Sequence, residues 1–130
     1  DILSIFMNVS ENKKTLVIGA SENPVRYSFL AINELRAKGH EVEALGIKAG
    51  KVNDVTIHTE KKPIPNLHTV TLYINPAHQK EYYEYILSLN PKRIIFNPGA
   101  ENSEFLSLAA SKGIETKEAC TLVMLHTHQF

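Results

Sequence analysis

The residues best placed to do chemistry lie together near the start of the chain, in Lys14-Thr15-Leu16-Val17-Ile18-Gly19-Ala20-Ser21-Glu22-Asn23-Pro24. Leu16-Val17-Ile18 is a short apolar run with β-branched residues, closed by a glycine, as a buried parallel strand would be. Pro24 suits the first turn of a helix, since its φ is fixed and its missing N–H has no partner there anyway. Phe29, Ile32 and Leu35 follow at helical spacing. Strand, tight turn and helix N-terminus together make an anion site. The turn amides point outward, the helix dipole is positive at this end, and Gly19 lets a phosphate approach the backbone. A nucleotide-type ligand is expected. Gly19→Val is expected to block its approach while leaving much of the sheet intact.

The local pattern disfavours ordinary NAD. Of the fingerprint G-x-G-x-x-G only Gly19 is present, with Ser21 and Pro24 at the other two glycine positions. A classical NAD site also places an acid at the end of the second strand. Here that strand, His40-Glu41-Val42-Glu43-Ala44-Leu45-Gly46, carries Glu43 inside it and is followed by Ile47-Lys48. A lysine suits a phosphate on the ribose better than a free diol. Taken singly, Lys48 and Lys51 also fit solvated loop lysines.

The elements that must position this turn alternate along the chain. A first helix over residues 25–38 ends at Gly39, and a second strand follows. Residues 48–66 read as irregular, with a short strand near Val55-Thr56-Ile57. A third strand over 69–74 closes at Asn75-Pro76, and a helix is expected over 77–89. Arg93 to Phe96 is a fourth strand, 103–112 a helix capped by Gly113, 114–119 a fifth strand, and 121–130 a terminal helix or tail. Such alternation predicts an α/β fold: a Rossmann-like, doubly wound, parallel five-stranded sheet with helices on both faces. Ligands of such sheets bind outside the carboxyl ends of the strands, where strand order reverses. The small and turn-forming residues fall at those ends: Gly19-Ala20-Ser21, Leu45-Gly46, Asn75-Pro76, Asn97-Pro98-Gly99 and Ala119-Cys120.

Composition bounds the function. The 130 residues fit one domain, and 14 basic residues balance 14 acidic ones with no block of like charge, unlike a nucleic-acid binder. No apolar run reaches membrane-spanning length and no leader opens the chain. A single cysteine fits a reducing cytoplasm, so a cytoplasmic protein is expected. Residues 1–13 read as an N-terminal extension or a remnant, and 14–130 as the domain.

Gly19-Ala20-Ser21-Glu22-Asn23-Pro24 with Arg26-Tyr27-Ser28, the later Asn97-Pro98-Gly99-Ala100-Glu101-Asn102, and the closing Glu118-Ala119-Cys120-Thr121 resemble the small stand-alone coenzyme A-binding proteins. These are similar to the nucleotide-binding N-terminal domain of the succinyl-CoA synthetase alpha subunit. The resemblance implies coenzyme A or an acyl-CoA as ligand, with Gly19, Ala20, Ser21 and Pro24 against the phosphates or adenosine, and Asn23 and Ser28 beside them. It implies that Leu45, Gly46 and Lys48 after the second strand and Asn75 after the third flank adenine and pantetheine. Asn97, Pro98 and Gly99 complete the site. The chain departs from the family at Leu45-Gly46-Ile47, where members usually carry Asn-Pro, and at Phe96-Asn97-Pro98-Gly99, where Trp-x-Gln-x-Gly is common. The synthetase's phosphoryl chemistry belongs to a histidine-bearing second domain and is not carried over.

No catalytic or metal-ligating residue is assigned. Cys120 reads as a small buried apolar residue at a strand end rather than a nucleophile. His126 and His128 lack an acidic or thiol partner nearby and read as solvated tail residues. Ser21 has no adjacent base, so its hydroxyl bonds a phosphate or caps the helix. Glu101 and Glu118 pair only if the fold joins their loops. The expected function is a non-catalytic nucleotide-binding module, with no nucleic-acid or membrane partner and a protein partner left open. The alternatives are an NAD(P)-dependent oxidoreductase and a protein-interaction domain that has lost its ligand.

Overall fold

The computed structural model describes residues 11–130, so most of the expected extension over 1–13 lies outside the described residues. Among these residues seven short strands form one sheet: β1 (Thr15–Ile18), β2 (Val42–Leu45), β3 (Gly50–Val52), β4 (Val55–His58), β5 (Thr69–Leu72), β6 (Arg93–Phe96) and β7 (Glu115–Glu118). Their order is β3-β4-β2-β1-β5-β6-β7. All neighbours are parallel except β3 and β4. The five strands expected from sequence are the run β2-β1-β5-β6-β7, so the α/β, doubly wound class holds and the strand count rises to seven. The added pair is a hairpin inside the segment read as irregular; β4 falls at the short strand expected near Val55-Thr56-Ile57, and β3 is new. Gly50-Lys51-Val52 offers a single buried apolar side chain, too little for a strand signal, and Asn53 turns the chain with φ +56.

Among the described residues four α-helices cover the sheet: α1 (Tyr27–Ala37), α2 (Tyr83–Leu89), α3 (Ser103–Ser111) and α4 (Thr121–His126). Strand side chains alternate between its faces. Leu16, Ile18, Val70, Leu72, Ile94 and Phe96 form one core with Ile86 of α2 and Phe105 and Ala109 of α3. Val17, Ala44 and Ile57 form the other with Ile32 and Leu35 of α1 and Leu125 of α4. Each fully buried Leu, Ile or Phe contributes about 1.5–3 kcal/mol, so both faces are held. The edge strand β7 is mostly exposed and reads Glu115-Thr116-Lys117-Glu118. Among the described residues no helix is long and apolar enough to cross a membrane.

The chain runs from β1 outward through β2 to the β3–β4 hairpin, then returns to the far side of β1 as β5. The order therefore reverses between β1 and β5, and a crevice must open at their carboxyl ends. One expected helix is shorter than its pattern. Residues 76–82 form two 3-10 turns, Pro76–His78 and Lys80–Tyr82, and only then does α2 begin. Gln79 between them is fully buried, and its amide nitrogen donates to the carbonyls of Ile74 (2.9 Å) and Ala100 (2.7 Å). These bonds tie the loop after β5 to the loop after β6, at the expense of regular helix.

The amino ends of the strands gather a cationic cluster. His40 Nδ1 accepts the Lys13 backbone N–H at 3.0 Å, and its ring lies 5.0 Å from that of Phe130. Phe130 also stacks under the Arg93 guanidinium, whose Nε donates to Thr69 Oγ1 at 2.7 Å. Burial, then Lys13 and Arg93, hold His40 below its ordinary 6.5, with Glu11 opposing and His68 adding to the depression. Burial, then Arg93, Lys13 and Lys92, lower His68 likewise, again against Glu11. As pH falls through 6.5 the unfolded chain takes up protons that the folded one refuses. The stability these two groups contribute is thus fully present above that pH and declines below it. Urea unfolding should give a lower midpoint at about pH 5.5 than at about pH 7.5, and His40→Gln should reduce the difference. Equal midpoints in the unaltered protein would contradict this account.

Candidate functional site

Gly19 closes β1 with φ +93, a conformation L side chains rarely adopt. There is no space for one either. A Cβ would sit 2.8 Å from the Tyr73 carbonyl oxygen, because β5 is held close by the Tyr73 N–H donating to the Ile18 carbonyl at 2.9 Å. On the other side, the amides of Gly19 and Ala20 both donate to the Leu45 carbonyl, at 3.0 and 3.1 Å. Two expectations change. These two amides face β2 rather than a ligand, and glycine is required by the meeting of three strands, so Gly19→Val would disturb the sheet itself.

Amides without a protein partner lie one step further along. Ser21 Oγ accepts the Asn23 N–H (3.0 Å), Asn23 Oδ1 accepts the Val25 N–H (3.1 Å), and the Asn23 carbonyl accepts the Arg26 N–H (3.0 Å). Pro24 thus occupies the second position of a β-turn, where its fixed φ is equally suited, and α1 begins only at Tyr27. The amides of Ser21, Glu22, Tyr27 and Ser28 are left without a protein partner among the described residues. The Ser21 hydroxyl, used as an acceptor, still has its proton to donate.

These groups open onto a groove of about 690 Å³ over the carboxyl ends of β1, β2, β5 and β6. The structure brings Gly19, Ala20, Ser21, Asn23 and Ser28 to one wall, Lys48 to another, and Asn75, Pro98 and Gly99 to the floor and far side. Four expected residues do not line it. Pro24 is exposed on the turn, and the Leu45 side chain is buried behind it. Gly46 packs so close that a Cβ would meet the Ala20 carbonyl oxygen at 2.5 Å. Asn97 is 2 % exposed. Its amide nitrogen donates to Thr71 Oγ1 (2.7 Å) and the Leu72 carbonyl (2.9 Å), while its Oδ1 accepts the Thr121 N–H at 2.9 Å. It staples β5, β6 and α4 beneath the groove.

Sequence reasoning missed several lining residues, notably Glu22, Arg26, Tyr27, Ile47 and Tyr73. Arg26 and Tyr27 stood in the motif string and needed only the helix to begin two residues late. Arg26 and Lys48 form no salt bridge among the described residues, and Glu22 lines the same groove beside them. The Tyr73 hydroxyl is buried beside the Thr71 and Thr121 hydroxyls, which bond each other at 2.8 Å and leave it unpaired. Burial pushes the phenol up to about 12, so it remains neutral and cannot act as a base near neutral pH. Cys120 lies outside the groove lining, partly buried at the start of α4. His126 is exposed, with its Nε2 3.6 Å from the Glu34 carboxylate. Among the described residues no three potential metal ligands cluster.

A doubly wound sheet with a groove at its switch point, bordered by a turn that carries unpartnered amides, defines a Rossmann-like α/β domain. A family model described as a CoA binding domain matches residues 13–126, and the chain belongs to that family. A solved structure titled an uncharacterized protein is 48 % identical, with a TM-score of 0.90 over 92 % of this chain and 99 % of its own. A Thermus thermophilus structure, cell-free ID.343, shares the fold at 19 % identity and TM-score 0.78 over 100 % of this chain and 99 % of its own. A hypothetical protein from Pyrococcus horikoshii OT3 does so at 22 % identity and TM-score 0.81 over 99 % and 92 %. No curated protein matches.

Asn97→Ala should lower stability by about 2–3 kcal/mol in chemical denaturation, because it orphans the buried Thr121 N–H and withdraws a donor from Thr71 and Leu72. Gly19→Ala should destabilise the fold as well, read as a fall in the thermal midpoint without ligand. Wild-type stability in both variants would refute the packing roles given to these residues.

Proposed function

We propose that the groove binds coenzyme A or an acyl-CoA, as a non-catalytic nucleotide-binding module. The observation that carries this reading is the set of unpartnered amides at Ser21, Glu22, Tyr27 and Ser28, residues that line a groove with Arg26 and Lys48, in a chain of the CoA-binding domain family. The pyrophosphate accepts hydrogen bonds from the Ser21 and Glu22 amides, the Ser21 hydroxyl and the start of α1, where the helix dipole also favours an anion. Lys48, across the groove, meets the ribose 3′-phosphate. Asn75, Pro98 and Gly99 border the path of the pantetheine arm. The partner is a small nucleotide, and the chemistry is recognition.

Calorimetric titration with CoA, acetyl-CoA, NAD and NADP tests the ligand class. CoA species are expected to bind and the dinucleotides to give little heat; micromolar NAD binding with no CoA signal would overturn the reading in favour of a dehydrogenase-type site. Absence of a thermal shift with any nucleotide would favour a ligand-free interaction domain. Ser21→Ala should weaken CoA by ~1.5–3 kcal/mol, the worth of a hydrogen bond to a charged group. Lys48→Ala should weaken CoA more than dephospho-CoA; equal losses would return Lys48 to the status of a solvated loop residue.

A further inference from the structure

The loop that carries Lys48 is only four residues long, Gly46 to Ala49, between β2 and β3. Both of its ends are fastened to the turn after β1. At the first end Gly46 lies against the Ala20 carbonyl, and its own N–H donates to the His58 carbonyl at 2.9 Å. At the second end the Glu22 carboxylate accepts the Lys51 backbone N–H at 2.9 Å. This amide is on the open side of the edge strand β3, where among the described residues no neighbouring strand takes it. The same carboxylate lies flat over Gly50, so close that a Cβ there would collide with the Glu22 Cγ, Cδ and Oε1. Gly50 has no positive φ to explain its identity. Its missing side chain makes room for Glu22.

An acid lining a groove with Arg26 and Lys48 repels an anionic ligand unless it serves another purpose. Resting on the coenzyme A reading above, we propose that Glu22 is a positioning residue: its carboxylate latches the Gly50–Lys51 backbone to the anion-binding turn, and so fixes Lys48 at the distance where it discriminates ligands with an additional ribose phosphate. Glu22 and Ser21 are adjacent, so the turn that receives the pyrophosphate and the lysine that receives the third phosphate are held as one unit.

The latch is an acceptor rather than a charge, and that separates the test variants. Glu22→Gln keeps an acceptor oxygen and removes the repulsion, so it should retain the CoA over dephospho-CoA preference. Glu22→Ala removes the latch. Gly50→Ala displaces it, at small cost to the fold because the obstructing atoms belong to a flexible side chain. Both should reduce the preference roughly five-fold, about the most that one exposed charge contact contributes. Amide hydrogen exchange supplies a readout that needs no ligand: the Lys51 N–H should exchange about ten-fold faster in Glu22→Ala and Gly50→Ala than in wild type or Glu22→Gln. Unchanged Lys51 exchange, or an unchanged preference in both Glu22→Ala and Gly50→Ala, would overturn the latch. A Glu22→Gln variant that behaves like Glu22→Ala would overturn it as well, by making charge the cause. Wild-type protein that shows the exchange pattern and binds no CoA would instead remove the ligand reading and leave the loop fastening standing.

Discussion

The structure depends on a contact among three strand ends at Gly19. The main chain of β1 passes between the Leu45 carbonyl of β2, which takes two of its amides, and the Tyr73 backbone of β5, which leaves no room for a Cβ. That closeness lets strand order reverse at β1 without a gap in the sheet. It also decides which amides remain for a ligand. With Gly19 and Ala20 engaged, the unpaired donors are those of Ser21, Glu22 and the first residues of α1, two residues further along than the strand end itself.

The groove's other walls are set by buried amide side chains. Gln79 holds the loops after β5 and β6 together through two carbonyls, and Asn97 holds β5, β6 and α4 through three bonds. Neither presents its polar atoms to the groove. Buried amides that are satisfied in this way rigidify a specific arrangement, since any alternative leaves donors and acceptors unpaired in a low-dielectric interior. The floor is thus held by hydrogen bonds, while the two apolar cores hold the sheet.

Much of the fold was legible in the sequence because buried parallel strands read as short β-branched runs and the helices keep a 3.6-residue period. Leu16-Val17-Ile18 and Ile94-Ile95-Phe96 needed little interpretation. The β3–β4 hairpin was not legible as a pair, since Val52 alone is buried in β3 and an edge strand needs no apolar face of its own. The break before α2 was hidden because a buried Gln79 looks like any surface glutamine in a helical pattern. At the site, Gly19, Ser21 and Lys48 could be placed by strand-end logic. Asn97 could not be told from a ligand contact, because its residue type suits a turn, a ligand and a buried staple equally. Leu45 contributes a carbonyl, which no side-chain pattern encodes.

The two edges of the sheet have a consequence for assembly. At one end the free amide of β3 is already occupied by a carboxylate from its own chain, and at the other β7 presents alternating charge to solvent. A strand from another polypeptide would have to displace Glu22 at the first edge or align against Glu115, Lys117 and Glu118 at the second. Growth of the sheet by strand addition, the usual route to fibrils and swapped dimers, is discouraged at both ends. The exposed apolar side chains Tyr27, Leu30 and Val123 stand on helices rather than on either edge strand.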